Sequence, residues 1–284
     1  MPVPACARAR AAHSPVMDSL ALPSRVAVAG DWHGSRVWVQ SVLASIRRAD
    51  AEVRDVLHVG DFGLWPADTY LDAVDYWAER TGLRLWVTPG NHDDWDQLEA
   101  PFGRGDVARV SEWVTFLPRG FRFTVGDRTA VSFGGAASHD RAWRRTQRSK
   151  HPIWWPQEIA TDAEVAAAVG GGSADLLVTH DVPTTVLPAV AAVLDRRNGE
   201  DAPEDAAYVH ASARQIDAVR AAVRPLLHVH GHTHVHEIGD VDTDHGPVRT
   251  LALTNERRHG NIAFLDADTL DVRTLTKEEL RLAW

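Results

Sequence analysis

Cysteine is almost missing from this sequence: Cys6 stands alone in 284 residues. No intramolecular disulfide can form, nothing in the cysteine usage points to an oxidising compartment, and a cytoplasmic location is the default expectation. Long apolar runs are missing too. None approaches the ~20 residues of a membrane span, so no membrane partner is expected. Positive charge is in deficit, and the net charge of −9 excludes non-specific affinity for nucleic acid or anionic lipid. Any polyanionic partner must then be met by a local basic patch. The first 22 residues carry arginines but no uninterrupted apolar core, because His13, Ser14, Pro15, Asp18 and Ser19 break the stretch from Ala11 to Leu22. A secretory signal is therefore not expected. Residues 1–23 read as a disordered extension, with Met17, one of two methionines, as an alternative start. Repeats and low-complexity tracts are absent, and oligomeric state is left open.

What is present is 44% hydrophobic residues over a length able to bury a full core, and one domain is expected over residues 24–284. Its most informative stretch is Thr88-Pro89-Gly90-Asn91-His92-Asp93, which follows the apolar run Leu83 to Val87. A Pro-Gly turn at the end of a buried strand is where open α/β sheets place their chemistry. The same pattern occurs twice earlier. Val26 to Ala29 runs into Gly30-Asp31-Trp32-His33-Gly34 and a helical pattern through Val39, Val42 and Ile46. Val56 to Val59 runs into Gly60-Asp61-Phe62-Gly63 and a helix expected over 69–80. Three such units predict a mainly parallel sheet covered by helices.

Beyond Pro101 the pattern shortens. Strands are expected at 114–117, 120–125 and 129–133, as antiparallel extensions of that sheet. After Gly134-Gly135 a polar, basic and tryptophan-bearing excursion is expected over 136–157, then a helix over 162–169 and a strand Leu176 to Thr179 ending at His180. An acidic loop over 195–205, a helix over 212–223 and a strand Leu226 to Val229 lead to His230-Gly231-His232-Thr233-His234. Three strands, near 248–253, 262–265 and 270–275, complete the expectation.

The residues directly after these apolar strands are Asp31 and His33, Asp61, Asn91 and His92, His180, and His232 and His234. Carboxylates, imidazoles and one amide oxygen, without a thiolate, suit Mn²⁺, Fe²⁺ or Zn²⁺, with Ni²⁺ or Co²⁺ as further candidates. The groups suffice for two ions: Asp31, His33 and His234 for one, Asn91, His180 and His232 for the other, and Asp61 between them. Two ions ~3.5–4 Å apart can deprotonate a shared water and clamp the oxygens of an in-line displacement. Counted this way, two carboxylates leave the loaded site net positive and suited to a phosphate.

These blocks, Asp31-Trp32-His33, Gly60-Asp61-Phe62-Gly63, Gly90-Asn91-His92-Asp93, His180 and Gly231-His232-Thr233-His234, resemble the calcineurin-like metallophosphoesterases in kind and order. The resemblance implies a four-layer α/β/β/α sandwich, the metal roles above with Mn²⁺ favoured, a bridging hydroxide as nucleophile, and His92 as general acid beside the leaving oxygen. In the phosphoprotein phosphatase branch an aspartate three residues after the bridging one orients that histidine. Leu64 stands there in this chain, so a bacterial or phage-type esterase is expected instead.

The expected substrate is a phosphorylated small molecule or nucleotide, as monoester or diester, with a nucleic-acid end as the nuclease variant of the same reading. A non-catalytic scaffold on the same fold is the alternative from another class, but it should have lost ligand residues, and all are retained here. His58, His228, His230 and His236 are expected as buried support, Trp32 and Trp95 as walls of the site. The basic run Arg141, Arg144, Arg145, Arg148 and Lys150 is expected over the site, with Arg144 and Arg145 contacting substrate beyond its scissile phosphate.

Overall fold

A computed structural model describes residues 20–65, 69–198 and 202–281 of the chain. In order it contains β1 (Ala21–Leu22), β2 (Arg25–Ala29), α1 (Arg36–Ala49), β3 (Asp55–His58), α2 (Tyr70–Thr81), β4 (Arg84–Val87), α3 (Trp95–Phe102), β5 (Ala108–Arg109) and β6 (Val114–Phe116). Next come β7 (Phe121–Val125), β8 (Arg128–Phe133), α4 (Arg141–Thr146), α5 (Asp162–Gly170), β9 (Leu176–Thr179), α6 (Pro188–Asn198) and α7 (Pro203–Val223). The chain closes with β10 (Leu227–His230), β11 (Glu237–Thr243), β12 (Gly246–Ala252), β13 (Ile262–Asp266), β14 (Asp271–Thr274) and α8 (Lys277–Arg281).

The strands form two seven-stranded sheets, ordered β14-β13-β2-β3-β4-β6-β5 and β1-β7-β8-β9-β10-β12-β11. Side chains alternate between the faces of a strand, and that alternation sorts the core into layers. In β2, Val26 and Val28 pack between the sheets with Val178 of β9 and Val229 of β10. Ala27 and Ala29 face the other way, onto a helical layer that includes Val39, Val42, Val74 and Leu98. On the far side of the second sheet, Val131, Phe133 and Leu177 meet Ala168 of α5 and Ile216, Val219 and Val223 of α7. Helix, sheet, sheet, helix is the expected four-layer sandwich. With both faces covered, the central parallel strands read as continuous apolar runs.

Parallel pairing of β2, β3, β4 and β6 in one sheet, and of β8, β9, β10 and β12 in the other, puts several strand C-termini at one edge of the molecule. Local signals bound the helices: one ends a helix and one starts a helix. Gly82 ends α2 in the left-handed conformation at φ 68°, and Thr161 with Glu164 forms a capping box on α5.

The structure differs from the sequence expectation in several places. The pieces over 114–133 do not extend one sheet: β6 joins the first, parallel to β4, while β7 and β8 pair in the second. The extension expected over 1–23 ends earlier, because Ala21–Leu22 pairs with Thr124–Val125 and Leu22 is buried between the sheets. Residues 1–19 lie outside the described residues. The acidic loop expected over 195–205 is the end of α6 and the start of α7, with residues 199–201 outside the described residues. Asp195, Arg196 and Glu204 occupy exposed helix faces, which hid the periodicity, while Asp205 is buried against Arg141 at 3.0 Å. β11 was missed because Ile238 and Val241 are its only large apolar residues and it lies at a sheet edge. The excursion over 136–157 is anchored rather than peripheral, with Ala136, Ala137, Ser138 and Trp155 buried and α4 in its middle. No described helix is long and apolar enough to cross a membrane.

Candidate metal centre

Five of the residues singled out from the sequence sit in the left-handed backbone region: Asp31 at φ 55°, His33 at 45°, Asp61 at 50°, His232 at 64° and His234 at 58°. That region is uncommon for residues with a Cβ, and such strain persists only where the surroundings hold it. Here the loops hold one another. Asp31 N–H donates to Gly60 O at 2.9 Å, His33 N–H to Asp61 O at 2.8 Å and Gly34 N–H to Phe62 O at 3.2 Å. Gly63 and Gly90 permit the close approaches, since a Cβ on Gly63 would lie 2.0 Å from Gly34 N and one on Gly90 2.2 Å from Asp61 N. Asp93, the last residue of that loop, is fully buried and accepts from the N–H groups of Gly63 at 2.9 Å, Leu64 at 3.1 Å and Gly90 at 2.8 Å. One carboxylate thereby ties the Asp61 loop to the Asn91 loop.

On one side of Asp61, the donor atoms of Asp31, His33, Asp61 and His234 all lie within 4.8 Å of one another. His33 Nε2 is 3.2 Å from Asp61 Oδ2, and His234 Nε2 is 3.4 Å from Asp31 Oδ1. His33 Nδ1 faces only acceptors, Asp31 O at 3.1 Å and Glu256 Oε2 at 2.9 Å. That nitrogen must therefore carry the proton, which leaves Nε2 turned towards Asp61.

On the other side, His180 Nε2 is 3.2 Å from Asp61 Oδ1 and 3.2 Å from Asn91 Oδ1. Its Nδ1 donates to Val59 O at 2.8 Å, again freeing Nε2. The His232 ring lies 5.1 Å from that of His180 and stacks on His139 at 5.8 Å. Asn91 is turned by its amide nitrogen, which donates to Ser138 Oγ at 3.0 Å; Ser138 in turn donates to Glu158 Oε2 at 2.7 Å. Asp31 Oδ2 and His232 Nε2 are buried without any hydrogen-bond partner. A buried oxygen and nitrogen left unpaired cost free energy unless something cationic or protic meets them. With this donor set around them, divalent ions fit.

The charges agree with that fit. Burial alone would push the Asp61 carboxyl up, yet the imidazoles of His180 and His92 and hydrogen bonds from His180 and His33 hold it well below the usual carboxylate range. His33 is pushed up to about 11 against its burial, by hydrogen bonds to Asp61 and Glu256. His180 is pushed up to about 9, also against burial, by Asp61. A divalent ion competes with those protons for the same places, so ion uptake should release them.

His92 is positioned by its own N–H, which donates to Asp61 Oδ1 at 2.9 Å. Across the imidazole lies the Arg144 guanidinium, with Nη1 3.3 Å from Nδ1 and Nη2 3.2 Å from Nε2. Burial first, and then the Arg144 charge, bring His92 down to about 4, against the pull of Asp61. Arg145 lies over the Trp154 ring at 5.4 Å. Together with Ser149, His151 and Ile153 these residues line a cavity of about 250 Å³.

Seven candidate ligand positions thus meet at one edge, with His92 and Arg144 beside them. Trp32 and Trp95 do not wall the site. Trp32 is fully buried and donates to Asn261 at 3.0 Å, while Trp95 is buried and donates to Gly90 O at 3.0 Å. Both are apolar enough to be drawn beneath the loops. His58, His228 and His230 are fully buried, as expected of support; His236 is partly so. Sequence reasoning missed Glu256, Ser138 and Glu158. Glu256 follows the strand Val248 to Leu253, so the strand-end rule applied once more would have reached it. Ser138 and Glu158 carried no such signal.

The sequence matches the calcineurin-like phosphoesterase family over residues 24–236. The fold is similar to that of TT1561 of Thermus thermophilus, at 11% identity and a TM-score of 0.53, covering 89% of this chain and 98% of that one. A dimetal phosphatase from Danio rerio is similar at 11% identity and a TM-score of 0.48, over 87% of this chain and 92% of that one. At 11% identity the likeness to TT1561 is one of fold alone. No curated protein matches the sequence. Family and Asp/His cluster together support a metal-dependent phosphoester hydrolase.

Proposed function

The chain belongs to the calcineurin-like phosphoesterase family, and on that premise we propose a hydrolase of phosphate esters with a two-ion centre shared across Asp61. The observation that carries this reading is Asp61 itself, its two oxygens split between His33 on one side and His180 on the other. Asp31, His33 and His234 would hold one ion, and Asn91, His180 and His232 the other. When bound, two divalent ions supply Lewis acidity that activates water and draws charge from the phosphoryl oxygens. Mn²⁺ suits these hard oxygen and imidazole donors, as do Fe²⁺, Zn²⁺, Ni²⁺ and Co²⁺.

The chain's own residues do the rest. Asp61 fixes His92 through the backbone, so the imidazole stays at one place beside the leaving oxygen and acts as its general acid. In the free protein the ring is held neutral, by burial and then by Arg144. Asp93 keeps the two loops in register. Arg144 and Arg145 contact the substrate beyond its scissile phosphate. Guanidinium forks and the Trp154 face suit a nucleotide or phosphodiester better than a small sugar phosphate. The single cysteine is in keeping with a cytoplasmic setting.

The test is metal content together with turnover of mono-, di- and cyclic phosphates in Mn²⁺. Turnover of at least one class at a metal-to-protein ratio near two supports the reading. Two bound ions with no turnover of any class would leave a binding scaffold.

A further inference from the structure

Glu256 lies beyond residues 24–236, the part of the chain that the family accounts for, in the loop between β12 and β13. We propose that Glu256 is the positioning residue of one half of the centre, orienting His33 towards the ion held with Asp31 and His234. The proposal rests on the two-ion reading above. Its geometry is that of a carboxylate behind an imidazole. Glu256 Oε2 is 2.9 Å from His33 Nδ1, and His33 Nε2 points at Asp61 Oδ2 at 3.2 Å. A carboxylate on the far nitrogen fixes the tautomer and the ring plane and raises the basicity of the coordinating nitrogen.

The loop is tied into the site at three further points, which keep the carboxylate there. Glu256 N–H donates to Asp31 O at 2.9 Å. Thr254 Oγ1 donates to His234 O at 2.8 Å. Asn261 donates through its amide to Thr254 O at 2.6 Å, within the loop, and also to Gly30 O. Those of these contacts that leave the loop all reach the Asp31 or His234 loop. None reaches the side chains of Asn91, His180 or His232. Only through His33 does a side chain of the segment reach a candidate ligand's ring, and that ligand belongs to the Asp31 side.

Glu256 also changes the charge count. A third carboxylate cancels the surplus positive charge expected of two ions facing Asp31 and Asp61 with a bound hydroxide. Attraction of the anionic substrate then falls to Arg144 and its neighbours rather than to the ions alone.

The experiment titrates Mn²⁺ calorimetrically into the metal-free full-length protein, its Glu256→Ala and its Glu256→Gln variants, with melting temperatures measured alongside. Outer carboxylates of this kind are worth about 10–100-fold in metal affinity. Glu256→Ala should lose that factor at one of the two ions and leave the other unchanged. Glu256→Gln, whose amide oxygen still accepts from Nδ1–H, should recover most of it. Equal weakening of both ions, with Glu256→Gln no better than Glu256→Ala, would make Glu256 a loop anchor and overturn the proposal. So would two unchanged affinities. Wild-type protein that takes up no divalent ion would overturn the functional reading itself, and the proposal with it.

Discussion

On the Asp31 side of Asp61 the centre is anionic and partly open, with His33 at 23% and His234 at 32% side-chain exposure and the Glu256 carboxylate behind them. On the Asn91 side it is closed: His180 is fully buried, Asn91 is 2% exposed, and His232 7%, with the buried Asp181 carboxylate 4.0 Å from His232 Nε2. Beyond Asp61, that side offers an amide and two imidazoles. The two halves solve the same problem differently. The first gathers charge and tolerates water. The second excludes water and relies on a hydrogen-bond chain from Asn91 through Ser138 to Glu158 to hold the Asn91 amide in place.

Asp61→Ala removes what the halves share and should have the largest effect, abolishing turnover and lowering metal content more than loss of any ligand that serves one half only. Elemental analysis beside a phosphatase assay checks this; a variant with both ions and near-normal turnover would refute the bridging role. His92→Ala should leave both halves loaded, since its ring is assigned to the leaving oxygen. The loss should be roughly 10²–10⁴-fold on alkyl phosphates and slight on nitrophenyl phosphate, whose leaving group is already stable. Equal losses on the two substrates count against general-acid work.

Glu158 sharpens the contrast, because only the closed half depends on it. Burial pushes its carboxyl up to about 7 from 4.5, opposed by hydrogen bonds from Ser138 and Trp154. The folded chain thus keeps a proton that the unfolded chain loses between those values, so its stability should fall as pH rises through that window, by roughly 3 kcal/mol at most. Calorimetric melting from pH 4 to 8 should show a shallower fall in Glu158→Gln than in wild type. Parallel curves would place the titration elsewhere.

The smallest effect is expected outside both halves. Arg144 touches His92, whereas Arg145 contacts Trp154, so Arg145→Ala should raise KM for a nucleotide by about fivefold, a contact of ~1 kcal/mol. It should spare nitrophenyl phosphate, and added salt should shrink the difference. A matching response from both substrates would reduce the basic run to a solvated face.

Much of the centre was legible because it follows a local rule. Each of Asp31, Asp61, Asn91, His180 and His232 follows closely on a short apolar strand, and parallel strands align their C-terminal ends whatever lies between them. Glu158 belongs to no such strand end. It reaches the site only because the 136–157 segment folds back on Ser138, and sequence periodicity says nothing about where an irregular segment returns.

By itself the sequence determined most of the strands, their order along the chain and the identity of the donors gathered at one edge. These depend on apolar alternation and strand-end chemistry, which act over a few residues. Tertiary structure alone decided which partner each donor faces. His33 meets Glu256 across 223 residues of chain, Trp32 meets Asn261 across 229, and His92 finds Arg144 across 52. Side-chain burial selects those pairings after the sheets have docked, because a polar atom shut away from water is stable only against a partner that fits it.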